Sequence, residues 1–253
     1  MRDQRKFEEL LPEEFDAEVK RHPIIYCAFG PMEYHGIYNA LGIDPGKAYE
    51  ICLRAAGLSG GIVFPLVPLA PGGSMSYEKM LNRDELRKVI RSAYPSVMTS
   101  VALCEKLYYE LFESFAEDLG FKVCVAFGGH GPAGVLIKKI ASDHNGAIAG
   151  MKLLPCGSLS HNLDTIKAEY AKLGVNKISH GGLWETAMNM ACNPEFVQLE
   201  RAQKKWPEIF EKYTVNLEGL NKVTPEIVLA LGEKLLNISA ERIAAEATAL
   251  LNR

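Results

Sequence analysis

Apolar residues along the chain fall into two kinds of run, and the two alternate. Short unbroken stretches rich in β-branched and aromatic residues read as strands buried on both faces: Ile24–Phe29 (IIYCAF), Ile62–Val67 (IVFPLV), Phe121–Phe127 (FKVCVAF) and Ala147–Pro155. Between them the pattern takes a helical period, over Lys47–Ala56, Val135–Asp143 and Leu163–Leu173. The clearest helix is marked by Leu103, Leu107, Leu111, Phe115 and Leu119, flanked by Cys104, Tyr108 and Phe112, with Gly120 where a C-terminal cap belongs. A last long helix opens at Thr224-Pro225-Glu226, a cap, a first-turn proline and an acid at the positive end, and runs to about Ala249. This alternation predicts an α/β fold in one domain over 1–253, its mainly parallel sheet covered by helices on both faces.

Composition narrows the function classes. The 253 residues, 48% hydrophobic and 23% charged, can bury a core without staples, which excludes disorder and coiled coil. Lys and Arg number 28 against 31 Asp and Glu, and no basic block occurs, so phosphate neutralisation and a nucleic-acid partner are not expected. No apolar run approaches the roughly 18 residues of a membrane span, and the charged start MRDQRKFEELLPEEFD is no signal peptide. Six cysteines are scattered without a Cys-x-x-Cys pair, which suits buried, reduced thiols in a cytoplasmic protein.

Candidate chemistry lies in three glycine-flanked segments: Gly30-Pro31-Met32-Glu33-Tyr34-His35-Gly36, Gly128-Gly129-His130-Gly131-Pro132, and Ser179-His180-Gly181-Gly182-Leu183-Trp184-Glu185-Thr186. Two follow predicted strands, where α/β folds place ligands. Imidazole nitrogen with carboxylate oxygen suits Zn, Mn or Fe. Glu33, His35, Asp44, His130, His180 and Glu185 are more donors than one metal needs, and a bridging carboxylate would let them serve two. A phosphate-cradling role for GGHGPAG is the minor reading, since neither the G-x-G-x-x-G nor the G-x-x-x-x-G-K-[ST] pattern is matched. A serine hydrolase is a weaker reading still, since no G-x-S-x-G elbow occurs. Trp184 reads equally as pocket wall or core.

Glu33-x-His35-Gly36 with Asp44 nine residues beyond His35, then GGHG, then HGG-x-x-ET, resembles the creatininase (creatinine amidohydrolase) family in order and spacing over about two-thirds of the chain. The resemblance implies a three-layer α/β/α sandwich, assembled as a homo-oligomer (a hexamer), that takes a small-molecule substrate and hydrolyses a C–N amide bond. The substrate would be a small, cyclic amide or a formamide, attacked by a metal-activated bridging hydroxide. It implies two divalent ions per chain (Zn, Mn or Fe), with Glu33 and His130 on one, His35 and Glu185 on the other, and Asp44 bridging. Catalytic roles fall to Glu185, completing the second site, and His180, passing a proton. Three positions depart from the family pattern: Tyr38 replaces a second histidine, Pro132 stands where creatininase proper has a glutamate ligand, and Ala133 replaces an asparagine. Pro132 cannot ligate, which shifts that role to Glu185; most of the changes touch the pocket, so the resemblance implies the chemistry rather than creatinine itself. Tyr94-Pro95-Ser96-Val97-Met98-Thr99 stands loosely where the family has an F-P-G-T loop. Two alternatives remain open: a metal-dependent hydrolase or lyase opening a keto-sugar or lactone-like ring, and a non-catalytic binding protein of the same fold.

Overall fold

A computed structural model describes residues 5–82, 84, 87–88, 95–203, 219–220 and 223–253. Its sheet has five strands, β1 (Ile24–Phe29), β2 (Ile62–Val67), β3 (Val123–Gly128), β4 (Ala147–Ile148) and β5 (Met151–Gly157), in the order β2-β1-β3-β5-β4. Every neighbouring pair is parallel except β4 with β5. The run Ala147–Pro155, expected to be one strand, is therefore a hairpin. Ala149 (φ +46) and Gly150 (φ +82) both take the left-handed conformation that a two-residue turn of this hand requires.

Parallel strands covered on both sides need apolar residues at every position, and β1 shows why. Ile24, Tyr26 and Ala28, with Val123, Val125 and Phe127 of β3, pack into one layer, whereas Ile25, Cys27 and Phe29, with Cys124 and Ala126, pack into the other. The first layer is built from helices α2 (Ile43–Ser59), α6 (Ser158–Leu173), α7 (Leu183–Cys192) and α8 (Pro225–Leu251); the second from α1 (Pro12–Arg21), α3 (Tyr77–Met80), α4 (Val101–Glu117) and α5 (Gly131–Asp143). The three-layer α/β/α arrangement follows. Among the described residues no helix is long and apolar enough to cross a membrane.

Helix α4 corrects one detail of the pattern. It buries Val101, Cys104, Tyr108, Phe112 and Phe115, while Leu103 is 52% exposed. A four-residue step overshoots a turn by about 40°, so a strict i, i+4 stripe winds off the core face. Helices α2, α5 and α6 each begin four or five residues earlier than their apolar periodicity indicates. Residues of all three first turns border a cavity, so the apolar pattern starts late.

Strand order positions the site. From β1 the chain goes through α2 to β2 on one side; from β3 it goes through α5 to β4 and β5 on the other. The order turns between β1 and β3, where a crevice opens at their carboxyl ends.

Candidate metal centre

Glu33 and His35 follow β1, and His130 follows β3 as the residue capping α5. Glu185, expected in a loop-like segment, and Asp44, expected ahead of the helix read from Lys47, lie in the first turns of α7 and α2, where carboxylates are favoured by the helix dipole. The segments meet only because their glycines let backbone touch backbone. A Cβ at Gly129 would run into the Asp44 carbonyl oxygen, and one at Gly181, itself at φ +62, would lie 2.9 Å from the His35 carbonyl carbon and oxygen.

Asp44 is the hinge of the arrangement. Its Oδ2 lies 3.2 Å from His130 Nδ1, which is 2.9 Å from Glu33 Oε2. Its Oδ1 lies 3.3 Å from His35 Nε2, which is 3.7 Å from Glu185 Oε1. Three sets of donors result, each with its atoms within 4.8 Å of one another: two share Asp44, namely Glu33–Asp44–His130 and His35–Asp44–Glu185, and a third, Glu33–His35–His180, reaches out to the exposed His180. The His35 tautomer is set from behind: its Nδ1 is 3.0 Å from the Glu33 carbonyl, which can only accept, so Nδ1 donates and Nε2 carries the lone pair forward. Glu33 Oε2, His35 Nε2, Asp44 Oδ2 and His130 Nε2 are buried without a hydrogen-bond partner. Buried polar atoms left open, with mixed nitrogen and oxygen donors converging on one place, fit divalent cations.

The electrostatics are those of a strongly coupled cluster. Burial disfavours charging His35, yet Asp44 and Glu185 outweigh it and hold its pKa well above the usual imidazole range. Burial likewise opposes protonation of His130, but Glu33 and Asp44 raise it to about 9. Burial would raise the Asp44 and Glu185 carboxyls, but Lys47 and His35 hold both far below the carboxylate range. A cation entering either group displaces imidazole protons.

Lys47 escaped the sequence reading. One turn beyond Asp44, it is 1% exposed and donates from Nζ to Asp44 Oδ1 and Glu185 Oε1, both at 2.7 Å. Its Nζ also lies 5.1 Å from the centroid of the Trp184 ring. The signal available beforehand was a lysine on the same helical stripe as Ile51, Ala55 and Asp44, a face otherwise buried.

The whole-chain comparisons agree with this geometry. The sequence matches the family described as creatininase, creatinine amidohydrolase, over residues 8–246. The chain belongs to that family. Among curated proteins none matches the sequence. Solved creatininase structures share the fold at 17% identity: one described as the Mn form superposes with a TM-score of 0.70 over 96% of both chains. Another, described as creatinine amidohydrolase, does so at 0.69 over 96% of this chain and 98% of the other. A putative creatinine amidohydrolase from Bacteroides fragilis NCTC 9343 covers 100% of this chain and 98% of its own at 0.64.

Departures from the family pattern take on physical meaning here. Tyr38 donates its hydroxyl to the Gly181 carbonyl (2.7 Å), fastening the His35 loop to the segment before α7. Asn39 adds bonds to the His35 carbonyl and to Thr186 Oγ1. Pro132 lines the cavity without a ligating atom, and Ala133 packs into the core. Pro95–Thr99 lies beside the Glu33 loop, with the Val97 N–H donating to the Met32 carbonyl and Ser96 Oγ accepting from the Tyr34 N–H; Tyr94 is outside the described residues.

The donors face a cavity of about 870 Å³ walled by Trp184, Ile178, Leu163 and Met75. His180 stands at its exposed edge, its ring 4.2 Å from that of His35 and its Nε2 2.7 Å from the Tyr34 carbonyl. Trp184 is both core and wall: it is 7% exposed, and its Nε1 donates to the Ser179 carbonyl.

Proposed function

We infer that the chain is a divalent-metal-dependent amidohydrolase acting on a small cyclic amide or a formamide. The observation that carries this is Asp44 presenting one oxygen to each of the two groups that share it, at the floor of a cavity with apolar and serine walls. The two groups can take up to two cations, and their donors suit Zn, Mn and Fe; relatives of the same fold are described as Mn and Zn–Zn forms. A cation held there supplies Lewis acidity and lowers the pKa of bound water from about 15.7 towards about 7.

The chain's own residues do the rest. Glu33, Asp44 and His130 hold the Lewis acid against the cavity floor. His35 and Glu185 fix Asp44 from the other side. Trp184 and Leu163 exclude bulk water from the bound amide. Ser158 Oγ, buried and unpaired on the cavity wall, offers a hydrogen bond to a substrate carbonyl or N–H. His180 donates from Nε2 to the Tyr34 carbonyl, which leaves Nδ1 to take a proton from the attacking water and pass that same proton to the leaving nitrogen.

The reading is tested by incubating metal-supplemented protein with cyclic amides, N-formyl amines and, in parallel, lactones and keto-sugars, with products identified by mass spectrometry. Amide or formamide cleavage that is lost in Asp44→Asn is the expected result. Turnover of lactones or keto-sugars alone would overturn the C–N assignment. Binding without turnover across the panel would favour a non-catalytic protein.

A further inference from the structure

The two donor groups that share Asp44 are not equivalent, and Lys47 is the reason. Among the described residues no lysine or arginine forms an ion pair with Glu33 or with Asp44 Oδ2, whose one charged neighbour is the His130 ring at 3.2 Å. In the other group, the two carboxylate oxygens that a cation would take, Asp44 Oδ1 and Glu185 Oε1, already share one ammonium at 2.7 Å from each. That ammonium has no exposed side-chain surface and lies against the Trp184 ring. To leave its carboxylates it would have to open the packing between α2 and α7.

Charge points the same way. Glu33, Asp44 and Glu185 bring three negative charges into the centre and Lys47 one positive, while histidines that ligate are neutral. The remainder is two negative charges, which one divalent cation cancels. A second cation would leave this buried region with a net positive charge and set it beside an ammonium bonded to the same oxygens, which low-dielectric surroundings penalise.

We propose that Lys47 is a built-in cation of the His35–Asp44–Glu185 group, so that the chain holds one tightly bound divalent metal, at Glu33–Asp44–His130. Lys47 thereby sets the metal stoichiometry. His35 and Glu185 become positioning residues: with Lys47 they fix the Asp44 carboxylate so that Oδ2 faces His130. This rests on the metal-dependent reading given above.

The test is metal content rather than activity. Purified chain is incubated with excess Zn²⁺ or Mn²⁺, dialysed, and analysed for metal per chain, alongside Lys47→Met and Lys47→Arg, with circular dichroism as the check on folding. The expected result is one ion in the natural chain and in Lys47→Arg, rising to two in Lys47→Met. Two ions in the natural chain, or no gain in Lys47→Met, would overturn the inference and leave the metal-dependent reading standing. No ion in any of them would overturn that reading instead. Should Lys47→Met not fold, His35→Ala and His130→Ala in the natural background decide. Retention in the first and loss in the second supports the single site, and the reverse, or loss in both, overturns it.

Discussion

Lys47 and Glu185, 138 residues apart in sequence, meet Nζ to Oε1 at 2.7 Å in an almost fully buried ion pair that ties α2 to α7. The same Nζ holds Asp44, so truncating it leaves two buried carboxylates facing one another. In metal-free protein, Lys47→Met is expected to lose about 3–5 kcal/mol in urea unfolding, the range for breaking a buried pair from one side. Added cation should recover part of the loss, because it compensates the same oxygens. Pairing Lys47→Met with Glu185→Gln should lose less than the two changes separately. A loss below about 1 kcal/mol would show that the carboxylates need no internal cation.

Gly129→Ala tests whether backbone contact sets the ligand geometry. The new Cβ has to push the Asp44 carbonyl, and with it the start of α2, away from β3. The expected destabilisation is about 1–3 kcal/mol, as for other overpacked positions. Metal affinity should fall with it, although no donor atom has been changed. Calorimetric titration with Zn²⁺ checks this, and unchanged affinity would mean that α2 shifts without moving Asp44.

His180 differs from the five buried donors in being exposed. Replacing it with Asn is expected to leave metal content unchanged and to lower kcat by about 10²–10⁴, the usual range for a lost proton donor. The deficit should shrink for amides whose leaving amine is a weak base and needs no proton. An equal deficit across leaving groups would place the role of His180 in binding.

Thiol reactivity gives a pH-dependent check on packing. Five of the six cysteines are buried; Cys192 is partly exposed, and burial together with Glu50 pushes its pKa to about 12. Its thiolate fraction at pH 8 is then about 10⁻⁴, against about a quarter for an ordinary thiol. Native labelling by a disulfide reagent at pH 8 should be slower than in denaturant by a factor of about 1,000. Because the thiol must ionise, the Cys192 rate should rise about tenfold per pH unit above that. A thiol that labels rapidly at pH 8 in native protein would contradict the packing around it.

Much of this was legible in one dimension. The runs IIYCAF and FKVCVAF are apolar at every position because β1 and β3 are covered on both sides, and burial of that kind leaves its mark on composition. Glu33, His35 and His130 were legible too, since they follow strands whose ends are visible in the pattern. Asp44 and Glu185 were found as residues but not as helical ones, because the first turn of α2 carries proline and glycine and that of α7 follows directly on Gly181-Gly182. Leu103 was assigned to the core and lies outside it, since a four-residue repeat drifts around a helix and only the partner layer decides where the face ends.

Local spacing along the chain, then, determined which elements form and which donors wait at strand ends, because hydrophobic periodicity and glycine turns act over a few residues. It could not determine that Asp44 divides its oxygens between His35 and His130, or that Lys47 closes against Glu185. Those contacts join α2 to segments some 90 and 140 residues away. They exist only once two layers of helices have packed on one sheet, and burial has left a lysine no water to turn to.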